Sequence, residues 1–377
     1  MVIYDAIVIG VGGMGSAALY HLGRRGLRVL GIEQFGVAHD RGSSHGQTRI
    51  IRKAYFEHPS YVPLVTRAYA LWAALESATG QRLFRPTGML LAGPPDGAII
   101  SGVLRSAAEH RLDIRTLTAA ETDGRFPAFR IPPGQSRLFD AEAGFLRVEE
   151  CVRAHAYAAC SAGARLLTGG AVQSWSARGD EVVVRADGRE FRAARLIIAG
   201  GAWAGRLLAD LNLPLEVRRK VMLWYATTSD AHDLERGCPV FGFETTEGFF
   251  YGFPALDQGE IKLALHGGGQ AVEDPAGVDR GLHPEDEAPL RRFIAEYLPY
   301  VSPRPLRHAV CLYTMTPDEH FVIDTHPRHP NVHFAAGFSG HGFKFAPVVG
   351  SVLADLAVQG RTDEPIGFLS ARRFARP

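Results

Sequence analysis

Cysteine is scarce in this sequence. Its four copies, Cys151, Cys160, Cys238 and Cys311, are widely spread and form no C-x-x-C pair. That spacing predicts neither a disulfide framework nor a zinc site, and it is typical of a protein from a reducing cytosol. The histidines of the C-terminal part also lack the spacing of metal ligands, so we expect no metal.

The sequence also lacks an excess of either charge, because its 41 lysines and arginines nearly equal its 40 aspartates and glutamates and the formal net charge is +1. Nucleic-acid affinity rests on a basic surplus, so this balance excludes a general polyanion binder. The apolar stretch from Ala6 to Leu19 is too short to span a bilayer and contains four glycines. The first five residues lack the cationic region of a signal peptide. We therefore expect a cytoplasmic protein without a membrane partner.

The length of 377 residues exceeds what one hydrophobic core usually supports, so we expect two domains. Apolar periodicity predicts a strand at 3–9, a helix at 13–25 and a strand at 28–33. Further along the chain, it predicts helices over 61–78, 148–162, 285–298 and 344–358, and strands over 170–176, 181–186 and 332–336.

The region 216–266 has mainly the pattern of strands, whereas proline and glycine mark 86–97 and 127–134 as loops or domain crossings. Together these elements predict an α/β protein in which a Rossmann-like nucleotide-binding domain is interrupted by an inserted α+β substrate domain with an antiparallel sheet. The predicted segments are 1–85, 140–215 and 310–377 for the nucleotide-binding domain and 86–139 and 216–309 for the substrate domain.

A glycine pattern directly follows the first predicted strand and opens the first predicted helix. Its residues are Gly10, Gly12, Gly13, Met14 and Gly15. In this context the glycines allow a tight turn, close approach of the backbone to a pyrophosphate, and close packing of helix on strand. Glu33 closes the second strand, where a carboxylate accepts hydrogen bonds from ribose hydroxyls. The pattern predicts dinucleotide binding without deciding between FAD and NAD.

Further polar residues are candidates for a reaction site. The segment 41–53 packs cations and small polar residues that suit an anion, although a solvated basic loop has the same composition. Lys262 and His266 share one face of a strand, which indicates either a polar cavity or a solvent-facing edge. Tyr251 is either a substrate wall or a core aromatic residue, and Cys311 taken alone is a buried, inert thiol.

Taken together, these segments resemble the family of monomeric sarcosine oxidase and N-methyltryptophan oxidase, over nearly the whole chain. The resemblance is carried by Gly-Ser-Ser-His-Gly-Gln-Thr-Arg-Ile-Ile-Arg (42–52), Tyr-Gly-Phe-Pro (251–254), Lys262 with His266, Cys-Leu-Tyr-Thr (311–314), Asp-Glu-His-Phe-Val-Ile-Asp (318–324) and Gly-Phe-Ser-Gly-His-Gly-Phe-Lys-Phe (337–345). The last run is long and unusual, which makes chance agreement negligible.

The resemblance implies one FAD per chain, bonded covalently to Cys311 through an 8α-thioether. The residues implied to bind the substrate are Arg52 and Lys344, which hold its carboxylate, and Tyr313. The residues implied to act in catalysis are Lys262, credited with activating O₂ near flavin N5, His266 and Tyr251 above the flavin, and Arg49 and His45 beside its ring. The residues implied to contact the cofactor are Gly10, Gly12, Gly13, Met14, Gly15, Glu33, Ser43, Ser44, Thr48, Cys311, Gly340, Gly342 and Phe343.

The implied reaction is oxidative demethylation of a small N-methyl amino acid such as sarcosine, in which O₂ and water yield the primary amino acid, formaldehyde and H₂O₂. Gly242 stands where sarcosine-oxidising relatives carry a methionine, and loss of that side chain is expected to enlarge the pocket. The alternatives are an oxidase of larger N-methyl or cyclic amino acids (N-methyltryptophan, proline or pipecolate), an NAD-dependent amino acid dehydrogenase, and a non-catalytic flavin-binding module. The family also implies a monomer.

Overall fold

A computed structural model of the chain describes residues 3–256 and 259–375. Its helices, in chain order, are α1 (Gly13–Gly23), α2 (Tyr61–Thr79), α3 (Ala98–His110), α4 (Ala119–Arg125), α5 (Val148–Ser161), α6 (Ala204–Leu207), α7 (Pro284–Tyr297) and α8 (Ala346–Gln359). Its strands are β1 (Ile3–Ile9), β2 (Val29–Glu33), β3 (Thr48–Ile51), β4 (Phe84–Pro86), β5 (Met89–Gly93), β6 (Ile114–Thr116), β7 (Ser136–Asp140), β8 (Gly144–Arg147), β9 (Arg165–Thr168), β10 (Val172–Arg178), β11 (Glu181–Ala186), β12 (Arg189–Ile198), β13 (Glu216–Thr227), β14 (Val240–Thr245), β15 (Gly248–Phe253), β16 (Glu260–Leu265), β17 (Gln270–Ala271), β18 (Val301–Met315), β19 (Val322–His326) and β20 (His329–Ala336).

The first sheet is mixed and has the order β10-β11-β12-β1-β2-β9, with β20 beside β12 and β19 beside β20. Its inner strand β1 runs parallel to both β2 and β12. Alternate residues of a strand face opposite sides of the sheet, so Ala6 and Val8 join the core formed with α1, α5 and α8, while Ile7 and Ile9 join the core on the other side. A parallel sheet centre with both faces buried confirms the predicted α/β class.

The second sheet is mainly antiparallel, with the order β17-β13-β16-β15-β14-β5-β7-β6 and with β18 also paired to β13. Side chains of one face, such as Phe250 of β15, pack against Phe293 of α7, with ring centres 4.5 Å apart. On the opposite face Met222, Ala264 and Cys311 form a separate buried cluster. The predicted antiparallel sheet is therefore present, and it presents a second face to the rest of the molecule. A small third sheet, β3-β8-β4, adjoins it.

The predicted helices are confirmed to within two residues at each end. The helix predicted at 61–78, for example, ends at Thr79, and Gly80 stops it in the left-handed conformation with φ of 68°. The loop prediction for 86–97 is wrong, because β5 lies within it. That strand is wholly buried between β14 and β7. Its apolar run is short, and the flanking Pro86 and Pro94 made the segment resemble a loop.

The predicted domain boundary at 310 falls inside β18, which runs from Val301 to Met315 without interruption. The last part of this strand therefore carries Cys311 on the antiparallel sheet, although the prediction assigned that residue to the nucleotide-binding segment. None of the helices within the described ranges is long and apolar enough to cross a membrane.

Helices α1 and α8 lie in backbone contact at Gly350, where an added Cβ would come within 2.5 Å of the Cβ of Ala17 and 2.6 Å of the backbone nitrogen of Ala18. We expect Gly350→Ala to push the two helices apart and to lower the free energy of unfolding by about 1–3 kcal/mol, as overpacking of a core does. Thermal unfolding followed by circular dichroism measures the change. Gly124→Ala in α4 is the control, because nothing lies within 4 Å of an added Cβ there. Equal melting temperatures of the two variants would contradict the backbone contact.

Candidate active site

A cavity of about 550 Å³ lies between the first sheet and the second face of the antiparallel sheet. Predicted site residues that line it are Gly10, Gly12, Gly13, Met14, Glu33, Ser43, Ser44, Arg49, Arg52, Tyr251, His266, Tyr313, Gly340, Gly342, Phe343 and Lys344. Gly15, His45, Thr48, Lys262 and Cys311 are not part of this lining. The cavity thus joins the glycine pattern at one end to a cluster of cationic and aromatic residues at the other.

The turn between β1 and α1 is built by its glycines. Gly10 has a φ of 83°, which favours glycine, and a Cβ on Gly15 would lie 1.7 Å from the carbonyl oxygen of Gly10. A Cβ on Gly13 would touch Phe343 and Ser44, and the Gly13 N–H donates to Ser44 Oγ at 3.3 Å. The turn therefore places bare backbone and the start of a helix at the cavity wall, which is the geometry that receives a phosphate.

Glu33 ends β2 beside this turn and is buried. Its carboxylate accepts the backbone N–H of Val11 at 2.8 Å and that of Phe35 at 3.1 Å, and His39 Nε2 lies 3.4 Å away. Burial works to raise the pKa of Glu33, but His39 and the backbone donors outweigh it and lower the pKa. A charged carboxylate at this position is suited to ribose hydroxyls and unsuited to a 2′-phosphate.

The segment 41–53 is not a solvated loop throughout, because His45, Thr48 and Arg52 are buried. Its second half forms β3 and pairs with β8. The guanidinium of Arg49 donates to the carbonyl oxygens of Thr48 and Ser43 at 2.8 and 2.7 Å. His45 Nε2 and Thr48 Oγ1 are buried without a hydrogen-bond partner among the described residues. Buried polar atoms normally have partners, so these two suit a polar group of a bound molecule.

Lys262 and His266 are both directed inward, and the solvent-edge interpretation of β16 is wrong. Lys262 is 3% exposed, and its ammonium donates to the carbonyl oxygens of Gly46 and Thr48 at 2.8 and 2.7 Å. Burial, and secondly the charge of Arg49, hold its pKa well below the usual value. Burial also lowers the pKa of His266 to about 4, so its imidazole is neutral at pH 7.

The far end of the cavity combines two cations with one acid. Arg52 donates from Nη2 to both carboxylate oxygens of Glu57, at 2.9 and 2.7 Å. Burial disfavours the charge of Glu57, but Arg52, His341 and Lys344 lower the pKa of its carboxyl to about 2. Lys344 donates to the carbonyl oxygen of His341 at 2.8 Å, and burial followed by the charge of Arg52 lowers its pKa to about 7. Glu57 was not predicted, because a lone glutamate five residues after an arginine carries no signal in the sequence.

The expected enlargement of the pocket at Gly242 is wrong. A Cβ on Gly242 would lie 2.5 Å from Cζ of Phe249 and 3.0 Å from Leu91, so the ring of Phe249 already fills that space. Phe249 packs edge-on against Phe56 at 5.4 Å, and the Phe56 ring lies 4.0 Å from the guanidinium carbon of Arg52. These two phenylalanines form an aromatic wall beside the cationic end, which the sequence analysis missed.

Cys311 is 2% exposed and lies just behind the cavity wall. Its sulfur is 3.6 Å from Arg49 Nη2 and 3.6 Å from the carbonyl oxygen of Ser43. The neighbouring Tyr313 lines the cavity, and a Cβ on Gly340 would lie 2.2 Å from the Tyr313 ring, so the 337–345 run packs its backbone directly on this strand. The thiol is therefore buried, as predicted, and lies beside the guanidinium of Arg49, while its covalent attachment to FAD stays a prediction.

The arrangement fits a dinucleotide such as FAD. The glycine turn and Glu33 line one end of the cavity, whereas the unpartnered polar atoms of His45 and Thr48 belong to buried residues outside its lining. A small carboxylate has two cations available at Arg52 and Lys344.

Comparison with known proteins agrees with this fit. The family model described as FAD dependent oxidoreductase matches residues 5–356. Monomeric sarcosine oxidase of Streptomyces avermitilis is 42% identical over 99% of this chain and 98% of its own length. N-methyl-L-tryptophan oxidase of Yersinia pestis is 37% identical over 98% of this chain and 99% of its own length. Among solved structures, NikD, an unusual amino acid oxidase of nikkomycin biosynthesis, superposes with a TM-score of 0.86 at 25% identity, covering 98% of each chain.

The ion pair of Arg52 and Glu57 is buried, with side chains 5% and 13% exposed. We expect Glu57→Gln to lower the free energy of unfolding by about 3 kcal/mol, because it leaves a buried guanidinium without its counter-charge. Glu142→Gln is the control, since it breaks the more exposed pair with Lys53, whose side chains are 20% and 56% exposed, and is expected to cost less than about 1 kcal/mol. Urea unfolding curves measure the free energy of unfolding of both variants. Equal losses of stability would contradict the claim that burial makes the Arg52–Glu57 pair more important than the Lys53–Glu142 pair.

Proposed function

The chain belongs to the FAD-dependent oxidoreductases, in the family of monomeric sarcosine oxidase and N-methyl-L-tryptophan oxidase, and on that premise we propose that it oxidises a small N-methyl amino acid. The substrate class is sarcosine-like, and the products are the primary amino acid, formaldehyde and H₂O₂. The observation that carries the proposal is the cationic end of the cavity, where Arg52 and Lys344 lie beside a neutral His266 and the aromatic Tyr251.

Arg52 and Lys344 would hold the substrate carboxylate. A guanidinium and an ammonium together fix the direction of a small anion, and this orientation presents the N-methyl carbon for reaction. A substrate ammonium has a pKa of roughly 10, as lysine does, and must lose its proton before the N-methyl carbon is oxidised. The charges of Arg52 and Lys344 favour that loss, and His266 adds no charge that opposes binding.

FAD, when bound, supplies the chemistry by accepting a hydride from the substrate and passing the electrons to O₂. The glycine turn would hold its pyrophosphate, Glu33 its ribose, and Cys311 would carry it covalently. Lys262 would provide the positive charge that favours electron transfer to O₂. The remaining residues proposed around the flavin ring are His45, Ser43, Ser44, Thr48, Arg49, Tyr313, Gly340, Gly342 and Phe343.

The aromatic wall of Phe56 and Phe249 supports a small substrate, because it closes the space that Gly242 would otherwise leave open. Oxidation of a larger N-methyl or cyclic amino acid is the second candidate, and the likeness to N-methyl-L-tryptophan oxidase favours it. Membership of an FAD family sets aside the NAD-dependent dehydrogenase. We further propose a cytosolic monomer of two domains divided as predicted, except that β18 as a whole belongs to the substrate domain.

The substrate class is tested by adding amino acids to the yellow protein without oxygen and following loss of flavin absorbance. We expect sarcosine to bleach the flavin, and N-methyl-L-tryptophan and L-proline to bleach it at least about tenfold more slowly, the scale on which a filled apolar pocket discriminates. Phe249→Ala is expected to narrow that difference, and Phe126→Ala, a buried ring of the core behind the antiparallel sheet, is the control that leaves it unchanged. If no secondary amine bleaches the flavin, the proposed function is wrong.

Carboxylate binding is expected to depend on the protonation of Lys344. Its pKa of about 7 means that the free site holds an ammonium below this pH and an amine above it. The dissociation constant of acetate should therefore rise at least about tenfold from pH 6 to pH 9, because binding retains a proton that the free site loses. Titrations followed by the flavin spectrum measure it. Lys344→Met should bind acetate weakly at every pH, whereas Lys53→Met should keep the original profile. A pH-independent constant in the unmodified chain would contradict the role of Lys344.

A further inference from the structure

Lysine is rare in this chain, since four of the 41 basic residues are lysines. Three of these, Lys220, Lys262 and Lys344, are buried around the site, with exposures of 7%, 3% and 6%. Arginine, which stays protonated, supplies most of the surface ion pairs, whereas a buried lysine exchanges its proton readily. Lysine is therefore concentrated where proton exchange is chemically useful. Lys262 and Lys344 have a role in the proposed function, but Lys220 has none.

Lys220 lies directly opposite Cys311 in the antiparallel pair of β13 and β18. Side chains that face each other in such a pair have Cβ atoms about 4.5–5.5 Å apart and lie on the same face of the sheet. The ammonium of Lys220 donates to the carbonyl oxygen of Gly267 and lies 5.7 Å from the centre of the Tyr313 ring. Arg49 Nη2 lies 3.6 Å from the sulfur. Cys311 thus has a lysine as its cross-strand partner and an arginine in contact with its sulfur.

The protonation of Lys220 is adjusted by its surroundings. Burial lowers its pKa to about 8, so that a fraction of the side chain is an amine near neutral pH. The charged and titratable groups that face Lys220 are Cys311 and Tyr313 on β18, Arg218 on β13, His266 after β16 and Asp286 on α7. His266 stays neutral over this range, and the charge of Arg218 acts in the same direction as burial.

We propose that Lys220 accepts the thiol proton of Cys311 when the flavin is attached, with Arg49 stabilising the thiolate. This inference rests on the covalent tether of the proposed function. A bond forms between Cys311 Sγ and the 8-methyl carbon of FAD, and one C–H bond of that methyl group breaks. The thiol proton, one proton of the methyl group and two electrons pass in sum to O₂. One thiol, one flavin methyl group and one O₂ therefore give one thioether and one H₂O₂.

The test measures attachment and not turnover. The full-length chain is produced without flavin, mixed with FAD in air between pH 6.5 and 9.5, and precipitated with acid at intervals. Flavin absorbance that stays with the polypeptide gives the attachment rate. In the unmodified chain we expect this rate to rise with pH and to reach half its maximum near 8, where Lys220 becomes an amine. Cys311→Ser should retain no colour.

Lys220→Gln should attach flavin at least about tenfold more slowly at pH 7.5, since a shift of one unit in proton affinity changes the reactive fraction tenfold. Its profile should lack the rise near 8. Lys220→Arg keeps the charge but accepts no proton at these pH values, so it should be slow as well. Lys53→Gln, which removes a lysine elsewhere, should match the unmodified chain.

An attachment rate and pH profile in Lys220→Gln equal to those of the unmodified chain would overturn the role of Lys220 and leave the tether intact. An attachment rate in Lys220→Arg equal to that of the unmodified chain would overturn proton acceptance by Lys220. An unmodified chain that never retains flavin after acid would overturn the tether itself and this inference with it. Should Lys220→Gln fail to fold, the unmodified chain still decides, because a flat profile from pH 6.5 to 9.5 contradicts the proposal and a rise near 8 supports it.

Discussion

Burial of positive charge is the constraint on which the site depends. Arg52, Lys220, Lys262 and Lys344 are buried around one cavity, and Arg49 is half-buried in its wall. An unpaired buried cation is costly, and here main-chain carbonyl oxygens solvate each one. The donations run from Arg49 to Ser43 and Thr48, from Arg52 to Ala54, from Lys220 to Gly267, from Lys262 to Gly46 and Thr48, and from Lys344 to His341. Carbonyl oxygens carry no formal charge and therefore leave the positive field of these groups in place, except at Arg52, which also pairs with the carboxylate of Glu57.

This field has a chemical consequence for the lysines. Burial lowers the pKa values of Lys220 and Lys344 to about 8 and about 7, although the carboxylates of Asp286 and Glu57 act in the opposite direction. Arginine at either position would remain a fixed cation, but lysine can bind an anion in one state and give or accept a proton in the other. Arg52 differs from these lysines, because its charge is paired with Glu57 and the Phe56 ring lies against its guanidinium. One cavity thus contains both fixed and exchangeable charges.

Close backbone packing holds these groups in place. Gly15 lies against the carbonyl oxygen of Gly10, Gly340 against the ring of Tyr313, and Gly350 against α1. At Gly15 and Gly340 a side chain would separate segments that both line the cavity. The position of the glycine turn relative to the antiparallel sheet is therefore set by contacts that admit no Cβ, and the charged side chains are positioned from rigid supports.

Residues along one stretch of chain determined much of this protein by themselves. The glycine pattern, Glu33 and the periodic helices needed only local spacing, because turns and amphipathic helices depend on near neighbours. The 337–345 run pointed to the family because its residues are contiguous and unusual in combination. The alternation of side chains along β16 could not decide whether Lys262 and His266 face solvent or a cavity. A strand shows the same alternation whichever of its faces is buried. β5 was missed because prolines flank it.

Only the tertiary structure decided which residues of the site lie next to one another. Glu57 meets Arg52, Phe249 fills the space above Gly242, and Lys220 meets Cys311 ninety-one positions further along the chain. Each of these contacts depends on strand register or on a crossing of separate segments. Strand order and register place distant residues side by side, and no spacing in the sequence records that neighbourhood.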